Sequence, residues 1–117
     1  MILQSCENNP STGPGDSADQ ANAILTAIQQ VAEASLVDHR FVLSIIMQES
    51  RGCVNIITTP NPDGISNPGL MQTDGGSSFI GNSASASAQA SSITQMIIDG
   101  TQGTSNGNGL VQCLSSS

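Results

Sequence analysis

From Ser17 onward, apolar residues recur at helical intervals: Ala21, Ile24, Leu25, Ile28, Val31 and Ala32. Ser17 and Gln20 stand at capping-box spacing, so the pattern predicts a helix from about Ala18 to Ser35. Its polar positions, Asp19, Gln29 and Glu33, read as a solvated face. After a joint at Leu36-Val37, Asp38 is placed as the N-cap of a second helix. Gly52 stands where a left-handed C-terminal residue belongs. Between them Phe41, Val42, Leu43, Ile45, Ile46 and Met47 leave hardly any polar stripe. A helix apolar on all sides is buried on nearly all sides, which predicts that this one is the central helix.

Residues 53–90 hold three prolines, five glycines and no sustained period. "TTPNPDGISNPG" is turn chemistry throughout, and "SASASAQASS" is a low-complexity run expected to form a loop. Val54–Thr58 is the one stretch that reads as part of a small hairpin. A third helix is expected from Ser92 to Asp99, with Ile93, Met96 and Ile97 facing the core and Gly100 stopping it. Gly109–Leu114 reads as a last turn or two. Residues 1–17, with two prolines and two glycines, form an N-terminal arm. The pattern therefore predicts one mainly α domain over residues 18–117, with a small α+β element as the variant, and a long Pro/Gly loop after its most apolar helix.

Composition narrows the partners. Charged residues make up 9% of the 117-residue chain and aromatic residues 2%. There is no lysine, and two arginines oppose nine carboxylates for a net charge of −7. Nucleic-acid binding needs a basic stripe to displace counterions, and none is present. Anionic membrane surfaces are disfavoured by the same repulsion, and no apolar run approaches the ~20 residues of a membrane span. Met1-Ile2-Leu3 is too short for a signal-peptide core, so any targeting segment is expected to have been removed or never present. Cys6, Cys53 and Cys113 allow three single pairings and show no C-x-x-C metal spacing. A small lysine-free chain rich in Ser, Asn and Gly suggests a secreted protein in an oxidising setting. A neutral ligand, no cofactor, no metal and a monomeric state complete the expectation.

The chemistry concentrates in "IMQESRG", residues 46–52, where an apolar run ends in a carboxylate. Glu49 is expected in the last turn of the buried helix, half-surrounded by apolar groups. A carboxyl in such a setting holds its proton more tightly, as a general acid near neutral pH must. The bland alternative is a surface glutamate at a fraying helix end, although a negative charge there opposes the helix dipole. Downstream, Gly69-Leu70-Met71-Gln72 reads by itself as a core return from a loop, with a glycine that allows close backbone approach.

Taken together, "ESRG" at 49–52 and "GLMQ" at 69–72 resemble the first two motifs of the soluble lytic transglycosylase and goose-type lysozyme superfamily. "VDHRFVLSIIMQESRGCV", "NPGLMQ" and "ITQMIIDGTQGT" are similar to secreted fungal proteins with a transglycosylase-like lysozyme domain. The likeness covers roughly Ile24 to Leu114. It implies a lysozyme-like fold in which Glu49 protonates the glycosidic oxygen of a β-1,4-linked N-acetylhexosamine polymer, peptidoglycan or chitin. Ser50 would fix the carboxylate or touch the sugar, and Gly69, Leu70, Met71 and Gln72 would line the cleft. In lytic transglycosylases the glutamate then acts as base while the substrate's own hydroxyl closes a 1,6-anhydro ring. In an inverting hydrolase a second carboxylate, about 6.5–9.5 Å away, activates water. Asp63 and Asp74 flank the motif and read first as turn formers, as do Asn61 and Asn67. His39 reads as cap-adjacent and Arg51 as structural.

The resemblance also implies further helices that build the opposite wall of the cleft, one bearing a Tyr-Asn motif. This chain stops at Ser117 and has no tyrosine, so the expectation is a lysozyme-like fold lacking its C-terminal helices. Either turnover survives that loss, or the chain is a catalytically inactive glycan-binding or secreted interaction protein. Cys53–Cys113 is the preferred pairing, tying the central helix to the C-terminal element. Such a closure is worth roughly 3–5 kcal/mol by chain-entropy arguments and leaves Cys6 without a partner.

Overall fold

A computed structural model describes residues 17–56, 59–60, 66–73, 75–104 and 109–111. Helix α1 spans Ala18–Ser35. The Ser17 hydroxyl accepts from the Gln20 N–H at 3.1 Å, and Gln20 Oε1 accepts from the Ser17 N–H at 2.9 Å. This is the expected capping box, closing two otherwise unpaired donors. The helix ends at Leu36, whose φ of 58° is left-handed, and the Val37 N–H returns to the Ala32 carbonyl at 3.0 Å. Gln20, Ile24, Ala27, Ile28, Val31 and Ala32 form its buried stripe.

Helix α2 spans His39–Ser50, with Asp38 as N-cap accepting from the Arg40 N–H. Arg51 (φ 57°) and Gly52 (φ 78°) both take the left-handed conformation that ends it. Only Val42, Ile46 and Ser50 of this helix are buried, while Phe41 is 54% and Met47 38% exposed. The expected all-round burial is therefore corrected: α2 packs on α1 through one face. The central contact of the fold is instead α1 against the third helix, α3.

Helix α3 spans Ala86–Gln102, with the Ser85 side chain capping the Ala88 N–H. It starts six residues before the expected Ser92, inside the run expected to be a loop. Alanine is the strongest helix former, and Ala86, Ala88 and Ala90 carry the first turns. Gly100 does not stop the helix, which continues to Gln102 and is capped by Gly103.

Between α2 and α3 lies a minimal antiparallel ladder, β1 (Thr59–Pro60) with β2 (Ser66–Asn67), pairing Thr59 with Asn67. The small hairpin is thus shifted from Val54–Thr58, whose described part, Val54 to Ile56, is turn and irregular backbone. Of the expected last turn, Gly109 is irregular and Leu110 and Val111 are helical; residues 112–114 lie outside the described residues, as do residues 1–16. One core gathers Ile24, Ile28, Val31, Val42, Ile46, Val54, Leu70, Met71, Ile93, Met96 and Ile97. Fully burying each such side chain favours folding by about 1.5–3 kcal/mol. The described residues are mainly helical, as the pattern predicts, and no helix among them is long and apolar enough to cross a membrane.

Candidate functional site

Ser50 and Gly52 shape the end of α2. The Ser50 hydroxyl donates to the Ile46 carbonyl at 3.0 Å and accepts from the Gly52 N–H at 3.2 Å. The Cys53 N–H adds a bond to the Ser50 carbonyl at 3.0 Å. Ser50 is 1% exposed, so its hydroxyl serves the helix end and neither reaches a sugar nor holds the neighbouring carboxylate. Cys53 is fully buried and disulfide-bonded. Cys6 and Cys113, either of which can partner it, lie outside the described residues, and with them the expected Cys53–Cys113 pairing.

Glu49, one residue earlier, points the other way. It is exposed in the last turn of α2, so the expected half-burial among apolar groups is not what the fold provides. Its carboxylate makes no hydrogen bond or ion pair to another described residue. A carboxylate placed against the helix dipole and held by no described partner gains nothing in stability from the residues described around it.

Gly69–Gln72 is a tight turn packed into the core. Gly69 (φ 85°) and Gln72 (φ 46°) are both left-handed. The Gln72 N–H and its side-chain amide both donate to the Gly69 carbonyl, at 3.1 and 2.9 Å. Leu70 is fully buried and Met71 5% exposed. A side chain at Gly69 would meet the Ser77 carbonyl at 2.6 Å, beyond what any Cβ tolerates. Of the four residues expected to line a cleft, only Gln72 is more than marginally open to solvent; Gly69, Leu70 and Met71 shape the turn from beneath. A non-glycine residue at positive φ in a compact turn costs roughly 1–3 kcal/mol and persists where the surroundings enforce it, often at ligand-binding sites.

The charged groups beside α2 play capping parts. Arg40 Nη2 lies 2.7 Å from Asp38 Oδ2, and His39 Nδ1 3.8 Å from Asp38 Oδ1. Hydrogen bonds from the Arg40 side chain, then from its backbone N–H, hold the Asp38 carboxyl well below the usual range. Arg51 is exposed at the helix end. Asp63, Asp74 and Asn61 lie outside the described residues; Asn67 pairs in the β1–β2 ladder. No group of three or more metal-ligating side chains occurs among the described residues.

A polar cluster that the sequence pattern does not reveal joins the start of α1 to α3. Buried Gln20 donates through Nε2 to Asn82 Oδ1 at 2.7 Å and to Gln89 Oε1 at 3.0 Å. Gln89 in turn donates to the Asn82 and Ala84 carbonyls, and Asn55 to Asn82 Oδ1. Every amide here is engaged within the protein, so the cluster fixes the loop ahead of α3. The only trace of it in the sequence is Gln20 in the capping box.

Open grooves lined by described residues include one of about 560 Å³ between α1 and α3 and one of about 660 Å³ beside Ser77–Ile80. Neither includes Glu49. Comparison with family models, with curated proteins and with solved structures finds no match.

Proposed function

We propose that the chain is a secreted glycosidase or lytic transglycosylase that cleaves β-1,4-linked N-acetylhexosamine polymers, with Glu49 as general acid and base on a lysozyme-like fold. The observation that carries this reading is the pairing of two features about twenty residues apart. One is an accessible carboxylate at the end of α2 with no described internal partner. The other is the left-handed Gly69–Gln72 turn, which keeps only Gln72 towards solvent. This is the "ES…GLMQ" arrangement that resembles lytic transglycosylases. The disulfide at Cys53 supports the secreted setting.

In this mechanism Glu49 gives its proton to the leaving oxygen as the C1–O bond breaks, and takes one back from the substrate's C6 hydroxyl as the C1–O6 bond forms. The sugar supplies the nucleophile, so no second protein carboxylate is required. Because Glu49 is open to solvent, the water exclusion that favours proton transfer has to come from the bound sugar. A net charge of −7 favours neutral chitin-like chains at least as much as anionic peptidoglycan.

A second reading has its own support: Ser50, Gly69, Leu70 and Met71 are buried, and the chain has no Trp or Tyr to stack on sugar rings. Such a scaffold suits a glycan-binding or secreted interaction protein without turnover. Incubation with peptidoglycan and chitin oligomers, followed by mass spectrometry, separates the readings. Anhydro or new reducing ends support the enzyme. Binding without cleavage supports the second reading, and a folded protein that does neither removes both glycan readings.

A further inference from the structure

We infer that Asp99 is a positioning residue that clamps the Gly69–Gln72 turn from α3. Asp99 Oδ2 accepts from the Ser77 backbone N–H at 2.8 Å, and its Oδ1 accepts from the Gln95 side chain at 2.8 Å. The segment it holds returns directly onto the turn. The Ser77 carbonyl lies against Gly69, so closely that only glycine fits between them. The neighbouring Gly76 N–H bonds to the Thr73 carbonyl at 2.9 Å, and Gly76 sits between Thr73 and the Asp99 Cβ.

Three further residues of α3 complete the cradle. Met96 packs on Gly69, Gly100 lies under the Met71 side chain, and the Thr101 hydroxyl reaches Met71 Sδ at 3.9 Å. Met96, Asp99, Gly100 and Thr101 therefore set the height and tilt of the turn. The hydrophobic contacts resist compression. The Asp99 bond is the directional member, since a charge-assisted hydrogen bond is shorter and stronger than a neutral one. Left without it, Ser77 can lift away from Gly69, and the turn that ends in the left-handed Gln72 loses the wall against its first residue. The bearing on sugar binding rests on the proposed reading of Gln72 as part of the cleft; the clamp itself does not.

Amide hydrogen exchange on the full chain, with binding measured alongside, tests the two separately. In Asp99→Ala the Gln72, Thr73 and Gly76 amides, bonded to Gly69, Pro68 and Thr73, should lose protection roughly tenfold or more, while α1 amides keep theirs. Asp99→Asn, which retains an acceptor for the Ser77 N–H, should stay within about threefold of the parent chain. Unchanged protection in Asp99→Ala overturns the clamp. Should that variant not fold, Asp99→Glu moves the oxygens by one methylene and takes its place, with the same loss expected and the same unchanged result fatal. On chitin or peptidoglycan oligomers, Asp99→Ala should weaken binding or raise KM about tenfold, with rescue by Asp99→Asn. Loosened exchange with unaltered sugar binding overturns the link to the cleft. Absence of glycan binding in the parent chain overturns the proposed function and leaves the exchange result to decide the clamp.

Discussion

Gly100 lies directly beneath the side chain of Met71, and a Cβ at position 100 would run into the Met71 thioether and its Cβ. Met71 is 5% exposed and its sulfur is also reached by the Thr101 hydroxyl, so it has little room to swing away. In a helix interior glycine is about 1 kcal/mol less favourable than alanine, and Gly100→Ala would ordinarily stabilise. Here overpacking, typically ~1–3 kcal/mol, opposes and outweighs that gain. Urea denaturation should show Gly100→Ala less stable than the parent chain. A more stable variant would mean that Met71 yields and the close approach is not required.

Asp38 and Arg40 give stability a defined pH dependence. Folding lowers the Asp38 pKa through the Arg40 side chain and N–H. The charged form's contribution is therefore fully present above the unfolded value, about 3.9, and is lost as pH falls through the lower folded value. Asn caps helices about as well as Asp, so Asp38→Asn removes the charge and keeps the cap. The parent chain should be the more stable near neutrality, with the gap closing as pH drops below about 4 and shrinking in high salt. A gap that stays constant from pH 7 to pH 2 would show that the Arg40 pairing adds nothing.

What the sequence conveys and what it withholds divide along physical lines. α1 is legible from end to end because a capping box, a 3.6-residue period and the break at Leu36-Val37 before the Asp38 cap agree. The end of α2 is legible from Gly52. The start of α3 is not, because the alternation of Ser and Ala resembles a low-complexity linker and hides alanine's helix propensity. Burial of α2 is misread for another reason: an apolar residue shows that it would gain from cover, not that a neighbour supplies it. Glu49 is found by its place after an apolar run, yet its exposure depends on which face of α2 meets α1. The bonds from Gln20 to Asn82 and Gln89 span 62 and 69 residues and leave no periodic mark.

The one-sided packing of α2 makes its own test. Ile46 is fully buried and Phe41 54% exposed, though the two stand on the same apolar run. Ile46→Ala should cost about 2–5 kcal/mol, the range for a large buried aliphatic side chain. Phe41→Ala should fall within about 1 kcal/mol, because the ring is largely in water already. Equal and large losses from chemical denaturation would restore the view of α2 as a helix covered on all sides.

Glu49→Gln bears on function with little disturbance of the fold. The side chain is exposed and has no hydrogen bond or ion pair to a described residue, so exchanging carboxylate for amide should leave stability within roughly 0.5 kcal/mol. Glutamine keeps the shape and hydrogen-bonding reach of the side chain but can neither give nor take the proton. If Glu49 is both acid and base, the loss should appear in kcat, to background levels, while KM or oligosaccharide affinity changes little. Product analysis of chitin and peptidoglycan digests, with affinity measured on the same oligomers, supplies both numbers. Full turnover in a folded Glu49→Gln would remove the residue from the mechanism. Retained binding, with cleavage absent from parent and variant alike, would instead mark the protein as a glycan binder whose acid has no reaction to serve.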